Sequence, residues 1–572
     1  MAIIGLDVGT TGCKCIIFSD KGMNEAYAYE EYTRSLSCTT ISAERIWQSV
    51  CSVLSRANEI YLEKYKESTL YKGPSSQKHC GNNNFDNKDY METVSIDNDR
   101  VSDNCKNGNN NRNSENTDNN DSDISGNEFS TCQNANDSLN FADSSIKAIS
   151  ISSFGESFVP VDIYGDALSD IMLYTDPRGK DECEEFLSVI SEDEIMQSCG
   201  VKPHPMYSLP KIAWIRKNQP EVFEKTWKFL LIEDYVIYKL SGVTAIDYSL
   251  ASRTMAFDVT RKCWDNKLLA LAGISEIKMS LPSPSGTAVG VIKPEIAISL
   301  GLPLDVKVVT GGHDQVCAAV GAGVVALGTA IDGIGTVECI TPAFSSPILD
   351  SDFLNNNYAC VPYAIPGMYV TYAFNFTGGA LLKWFRDNFA SKEEIESKES
   401  GKSVYWILDE KAAKNPTSVM VIPHFAGSGT PDMNPLDTGS IVGLTFQHGV
   451  PEIYRALLEG VTFEMKYNME LLSSVGVDIT ELRAVGGGAK SKLWLEIKAA
   501  ITGCRILQLE VEEAGITGAA MLASVAIGIF PTLKEASEVF VKVKAIIEPD
   551  LDLKKKYEEI YTRYKKYRNA SF

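Results

Sequence analysis

Three carboxylates stand in turns or loops that follow apparent strands, where a ligand could reach them: Asp314, Asp7 and Glu156. Asp314 belongs to the run Gly311-Gly312-His313-Asp314-Gln315. Before it, Val306-Lys307-Val308-Val309-Thr310 alternates in the manner of a strand, and the small apolar residues 316–323 after it read as a helix start. A carboxylate at a strand-to-helix turn, with glycines ahead of it, lies where a ligand hydroxyl can approach a general base. Asp is also a favoured helix N-cap. Taken alone, the stretch supports both readings.

Asp7 opens Asp7-Val8-Gly9-Thr10-Thr11-Gly12, between a strand at 2–6 and a second at 13–18. Such a turn presents backbone N–H groups and hydroxyls to a phosphate. Asp7 can hold a metal through water, and Lys14 adds positive charge nearby. A plain hairpin explains the glycines but does not require Asp7, Thr10, Thr11 and Lys14 together. The pattern recurs: Leu327 to Ile331 is a strand, Asp332-Gly333-Ile334-Gly335-Thr336 a turn, and 337–340 the return strand. Two halves that each begin with a phosphate-gripping hairpin imply a nucleotide held between two similar domains. Farther on, a strand at 481–485 enters Gly486-Gly487-Gly488-Ala489-Lys490-Ser491, where the glycines let backbone approach adenine or ribose. Neither a G-x-G-x-x-G nor a Walker A spacing is present.

Glu156, with Gly155 before it, stands in a loop after the strand at 146–151. Asp176-Pro177-Arg178 is another polar cluster, suited to sugar hydroxyls or to a simple surface ion pair. The elements that must position these groups read as follows. Helices are expected from Ser42 to about Lys66 (apolar face Ile46, Val50, Val53, Leu54, Ala57, Ile60), from 206–214 onward, over 223–240 and over 452–472. Residues 282–303 read as loop-rich. Residues 376–380 open a helix through Trp384 and Phe385, and 419–423 form a strand. A small-residue helix at 515–526 is expected to pack on the glycine loop, and a charged helix runs from Lys554.

With 572 residues, of which 44% are hydrophobic and 23% charged, the chain has room for two or more domains. Its net charge of -21 argues against nucleic acid or an anionic membrane as partner. No apolar run approaches a membrane span, and no leader pattern stands at the N-terminus. The 14 cysteines are scattered without a C-x-x-C pair, which points to a reducing, cytoplasmic location without structural zinc or disulfides. Residues 73–143 are rich in Asn, Asp and Ser and carry 13 acidic against 5 basic residues, so they read as a disordered insert.

These separated motifs resemble the FGGY carbohydrate kinases of the actin-like ATPase superfamily, over essentially the whole chain except 73–143. They are Asp7 to Thr11, Met206 to Trp214 with Lys211, Gly312 to Gln315, Gly333 to Thr336, Gly439 to Glu459, and Gly486 to Ala489. The resemblance implies an α/β fold of two actin-like (ribonuclease H-like) domains around a central ATP/sugar cleft. The domains would be 1–322, sugar-binding, and 323–572, nucleotide-binding. It implies ATP-dependent phosphorylation of a sugar hydroxyl, with Mg²⁺ as cofactor, and it allows a homodimer. Asp314 would be the general base and Asp7 would organise Mg²⁺. Thr10, Thr11, Gly335 and Thr336 would line the phosphates. Gly379, Lys383, Gly487, Gly488 and Lys492 fall where the nucleotide lies, and Gly155, Glu156 and Gln315 fall at the sugar. Xylulokinase-like members carry Met-His where this chain has Gly155-Glu156, and glycerol kinases carry Arg-Glu, so Gly155 offers no cation. A ketose such as xylulose is the leading substrate, with a polyol, aldonate or deoxyketose as alternatives. Rival readings are an actin-like chaperone ATPase and a silent sugar sensor.

Overall fold

Near-continuous apolar runs build the first sheet. Its strands are β1 (Ala2–Val8), β2 (Gly12–Ser19), β3 (Asn24–Glu31), β4 (Ile146–Ser153), β5 (Ala288–Val291) and β6 (Lys307–His313), in the order β5-β6-β4-β1-β2-β3. β6, β4 and β1 run parallel, while β1, β2 and β3 are joined antiparallel. Ile3, Ile4, Leu6 and Val8 of β1 are all buried, as expected for a strand covered on both faces. The computed structural model describes residues 1–32, 38–70 and 146–569, so the insert expected at 73–143 lies outside the described residues.

The second sheet repeats this plan. Its main strands are β7 (Thr329–Ile334), β8 (Glu338–Phe344), β9 (Tyr369–Val370), β10 (Ala373–Asn375), β11 (Glu481–Val485), β12 (Arg505–Leu509) and β13 (Val543–Ile547), and the two-residue strand Val361–Pro362 pairs with β9 at its edge. β7 pairs antiparallel with β8 and parallel with β11, and β11 pairs parallel with β12. Each sheet therefore begins with a hairpin, adds two parallel strands, and closes with an antiparallel edge strand, β5 in one and β13 in the other. The two domains expected from the paired hairpins are both present. The described residues among 1–65 and 146–569 form one compact unit.

The helices that matter below are α1 (Ala43–Leu70), α2 (Ser208–Asn218), α3 (Ile232–Ser241), α4 (Asp314–Gly321), α5 (Gly379–Phe389), α6 (Val450–Ser474), α7 (Lys492–Thr502), α8 (Ala514–Ala526) and α9 (Leu551–Arg568). Several expectations are corrected. Residues 223–240 are not one helix: Lys228–Leu231 is a strand that pairs with Phe158–Val161, and α3 follows it directly. The apolar run Phe229-Leu230-Leu231-Ile232 fits either period, and pairing with a distant strand decided it. Residues 282–303 hold β5 and a short helix, Pro294–Leu300, started by proline and ended by Gly301 in the left-handed region. In α1, Ile60 faces solvent while Tyr61 is buried.

The largest correction concerns α8. It packs on α4 and on the first sheet, not on the Gly486–Gly488 loop. Side chains at Gly518, Gly321 or Gly5 would run into the facing backbone, so the helices and strand meet nearly main chain to main chain. A segment late in the sequence thus completes the first domain. α9 is charged outside but buries Tyr557, Tyr561 and Tyr564. Near its end Arg568 bonds Glu464 of α6 (2.8 Å) and Asp432 (2.5 Å).

Candidate active site

The carboxyl ends of β1, β4 and β6 lie side by side, with Asp7 opposite Ser152 and His313 opposite Ser153. Ligands of open α/β sheets bind off this end of the strands. Ser152 Oγ donates to Asp7 Oδ1 at 2.8 Å. Gly515 of α8 covers the pair closely: a Cβ there would stand 3.3 Å from Ser152 Oγ, 3.8 Å from Asp7 Oδ1 and 3.9 Å from the Asp314 carbonyl oxygen.

Asp314 is the first residue inside α4, and the cap position belongs to His313, so Asp314 is not the N-cap. Its Oδ1 accepts the Gln315 N–H at 2.6 Å, and 41% of its side chain is exposed. Desolvation by the surrounding protein pushes its pKa up to about 6. Asp7 is likewise pushed up to about 6, by burial first and by the negative Asp314 nearby, against the Ser152 bond and the Lys14 charge. Lys14, cross-strand from Asp7, is committed to Glu513 at 2.8 and 2.9 Å, just before α8.

Glu156 follows β4 in the left-handed region (φ 63°), an uncommon conformation for a side-chain-bearing residue and one that clusters at ligand sites. Arg253 Nε donates to its Oε1 at 2.6 Å, and both side chains are buried. A cation therefore reaches Glu156 after all, from 97 residues away. The guanidinium lies over the rings of Tyr207 (5.1 Å) and Tyr372 (5.7 Å). These three residues help to line a cavity of about 340 Å³, together with Met206, Asn357 and Phe374.

A buried acidic scaffold holds the strand end before Asp314. Glu233 accepts the Gly311 N–H (2.6 Å) and the Asp247 N–H (3.0 Å). Asp247 caps the short helix Tyr248–Ser252, which sets Arg253 at its end. Ser249 Oγ in turn accepts the His313 N–H at 2.9 Å. Burial raises the carboxyl pKa of both Glu233 and Asp247.

The second hairpin gathers the other expected groups. The Gly379 N–H donates to Gly335 O (2.8 Å), and the Gly378 and Ala380 N–H groups donate to Thr336 O (3.0 Å each). A Cβ on Gly379 would meet Gly335 O at 2.8 Å, and one on Gly486 would meet Ile334 O at 2.7 Å. Gly335, Thr336, Gly379 and the Gly486–Gly488 loop are thereby brought together. The hairpin itself differs from the expected one: Asp332, Gly333 and Ile334 lie within β7, and the turn is only 335–337. Asp332 is also no copy of Asp7. It is fully buried, 3.0 Å from Lys498 of α7, which also pairs with Glu338.

Other expected residues stand apart. Lys383 is exposed on α5, and Lys492 is 85% exposed with Glu496 3.5 Å away. Asp176 and Arg178 bond each other (2.7 Å), Asp176 also takes Thr39 Oγ1 (2.8 Å), and Arg178 lies over Trp214. Thr10 and Thr11 occupy the first turn, where Thr11 O accepts the Tyr32 N–H at 2.8 Å. Reading the sequence missed Arg253, Tyr207, Tyr372 and His313 as site residues. The cap signal at Asp247 was the available clue to Arg253.

Residues 101–321 match the N-terminal domain of the FGGY family of carbohydrate kinases, and residues 333–527 match its C-terminal domain. A xylulose kinase of Bacillus subtilis (strain 168) is 30% identical over 420 residues, which cover 73% of this chain and 82% of that protein. The chain belongs to the FGGY family of carbohydrate kinases. This FGGY kinase is also similar to a gluconokinase of Bacillus subtilis (strain 168), 25% identical over 545 residues, 94% of this chain and 90% of that one. Its fold matches a xylulose kinase structure from Lactobacillus acidophilus, with TM-score 0.76, 20% identity and coverage of 99% and 98%. The FGGY kinase is an ATP-dependent sugar kinase, and its family uses ATP, generally with a divalent metal. Among the described residues no helix is long and apolar enough to cross a membrane.

Proposed function

We propose that this FGGY kinase transfers the γ-phosphate of ATP to a hydroxyl of a neutral ketose such as xylulose, with Asp314 as general base. One observation carries the reading: the accessible carboxylate of Asp314 stands on the same strand ends as Asp7 and close enough to Arg253 of the buried Glu156–Arg253 pair to feel its charge. A base raised to about 6 is mostly ionised at neutral pH and still basic enough to take a hydroxyl proton. Arg253 with Tyr207 and Tyr372 would bind the sugar, beside Gly155, Glu156 and Gln315. Because Glu156 meets the Arg253 charge, the pocket suits a neutral sugar better than an aldonate. The names of the similar xylulose kinases point the same way.

Thr10, Thr11, Gly335, Thr336, Gly379, Gly487 and Gly488 would hold the nucleotide, with Lys383 and Lys492 at its margin and Lys14 released from Glu513 to a phosphate. Among the described residues no cluster of three or more His, Cys, Asp or Glu is placed to hold a metal. The single carboxylate of Asp7 at the end of β1 fits Mg²⁺, which keeps waters and takes one carboxylate plus substrate phosphates. Asp7 would hold it, with Ser152 fixing one carboxylate oxygen, and the ion would neutralise charge on the transferring phosphoryl group. We place the domain boundary at 322/323, with α8 contributed back to the first domain, and the enzyme in the cytoplasm.

Measuring ADP release against ketoses, polyols and aldonates tests the substrate class. Turnover should be greatest with a ketopentose. A preference for aldonates would contradict the neutral-sugar reading, and release that no sugar stimulates would contradict the pocket as a whole.

A further inference from the structure

His313 connects two groups that the reaction as described does not link. Its Nδ1 is 3.0 Å from the Tyr372 hydroxyl, and its Nε2 is 3.2 Å from Asp314 Oδ1. The imidazole is buried, with 7% of the residue exposed, and its ring sits 5.4 Å from that of Tyr372. Tyr372 comes from the second domain, one residue before β10, whereas His313 and Asp314 belong to the first.

Three protonation states of the imidazole can be weighed against this geometry. A doubly protonated ring would put a charge in a buried site beside Arg253, and burial together with that guanidinium holds its pKa down at about 3. The tautomer protonated at Nδ1 would aim the Nε2 lone pair at the Asp314 carboxylate, anion-like density against an anion. The tautomer protonated at Nε2 sets a partly positive N–H near Oδ1, an electrostatic contact that falls short of hydrogen-bond alignment, and leaves Nδ1 to accept from the tyrosine hydroxyl. Only the last arrangement makes both contacts favourable.

We infer that Tyr372 and His313 are positioning residues for the base: the Tyr372 hydroxyl holds His313 in its Nε2–H tautomer, and that N–H steers Asp314 Oδ1. Oδ1 then accepts the Gln315 N–H and lies 3.2 Å from His313 Nε2, which leaves Oδ2 as the oxygen turned to the substrate. The inference rests on Asp314 being the base. It adds that the second domain takes part in orienting it, because the hydroxyl that sets the tautomer comes from beside β10. Tyr372 also supports Arg253 through its ring, so the hydroxyl and the ring are separable contributions.

Removing only the hydroxyl isolates the effect. Tyr372→Phe should lower kcat by about 10-fold, the lower end of what losing an outer hydrogen-bond partner costs at metal sites, with KM for ATP unchanged. Among position-313 variants, His313→Gln retains an amide N–H able to reach Asp314 and should keep more kcat than His313→Leu, by about 10-fold. Thermal melts and ATP binding establish that each variant is folded. Selective ¹⁵N-histidine spectra give a readout that mere packing would not move. The chain has five histidines, and the signal lost in His313→Gln identifies the one in question. Wild-type enzyme should show the Nε2–H pattern, and Tyr372→Phe should show a tautomer mixture.

An unchanged kcat and an unchanged tautomer in Tyr372→Phe would overturn the inference, as would equal kcat for His313→Leu and His313→Gln. Asp314→Asn on the same day separates the levels. If it is silent while the relay variants match wild type, only the relay fails. If it turns over normally, the assignment of the base fails first.

Discussion

Gly155 and Arg253 occupy one space. A Cβ built on Gly155 would stand 2.9 Å from Arg253 Cγ and 3.1 Å from His313 Cδ2. The absence of a side chain at 155 is what lets the guanidinium of a distant residue cross to Glu156. The cation that the Gly155-Glu156 dipeptide lacks is thus supplied through space, and the glycine makes room for it.

Gly155→Ala should therefore act on the sugar side of the reaction. The atoms in the way are the inner part of the Arg253 side chain and the imidazole ring, which cannot swing aside as a free tip can. KM for the sugar should rise about 10-fold, equivalent to roughly 1.4 kcal/mol, with ATP affinity unchanged. Steady-state kinetics in both substrates checks this. A variant with wild-type sugar KM would mean the site accommodates the methyl group.

Arg253→Ala should cost stability as well as activity. It strands the buried Glu156 carboxylate, and breaking a buried pair from one side typically costs about 3–5 kcal/mol. Arg253→Met combined with Glu156→Gln removes both charges and should be less destabilised than the single variant. Denaturant unfolding of the two settles the order. If the double variant is the less stable, the penalty comes from packing and not from the unpaired charge.

The candidate site was legible where its motifs are local and obscure where it is assembled from distant parts of the chain. Asp7 with Thr10 and Thr11, and Asp314 after its glycines, could be read because each motif lies within one turn between adjacent elements. The repeat of the hairpin then foretold two similar domains. Arg253 could not be read this way, since its partner is 97 residues off and only the course of the chain brings them together. His313 stood next to Asp314 in plain view, but its value depends on Tyr372 in the other domain. α8 was correctly expected as a small-residue helix. Its packing partner was missed because small residues say that something approaches closely, not what. Lys228–Leu231 was missed because a short apolar run is neutral between helix and strand until a partner strand decides.

Acid should unfold the protein partly through the end of α9. Glu464 is buried with Arg568, His424 and the Tyr564 hydroxyl; burial alone would raise its carboxyl, but His424 and Arg568 hold it down to about 2 against an ordinary 4.5. The folded pKa is depressed, so the stabilisation is fully present above about 4.5 and is lost as pH falls toward 2. Its full size is on the order of 3 kcal/mol. Glu464→Gln should be less stable than wild type at pH 7, with the gap narrowing below pH 4.5. A gap independent of pH over that range would assign the effect to something other than this carboxylate.

The central claim is that Asp314 is the base, and sugar-dependent ADP release by Asp314→Asn tests it most directly. The substitution keeps the shape of the side chain and removes its capacity to take a proton. General-base catalysis typically contributes about 10²–10⁴-fold, so turnover should fall by that factor with melting temperature and ATP affinity preserved. A folded, ATP-binding variant that keeps more than about a tenth of wild-type turnover would contradict the account, because it lies well outside that range.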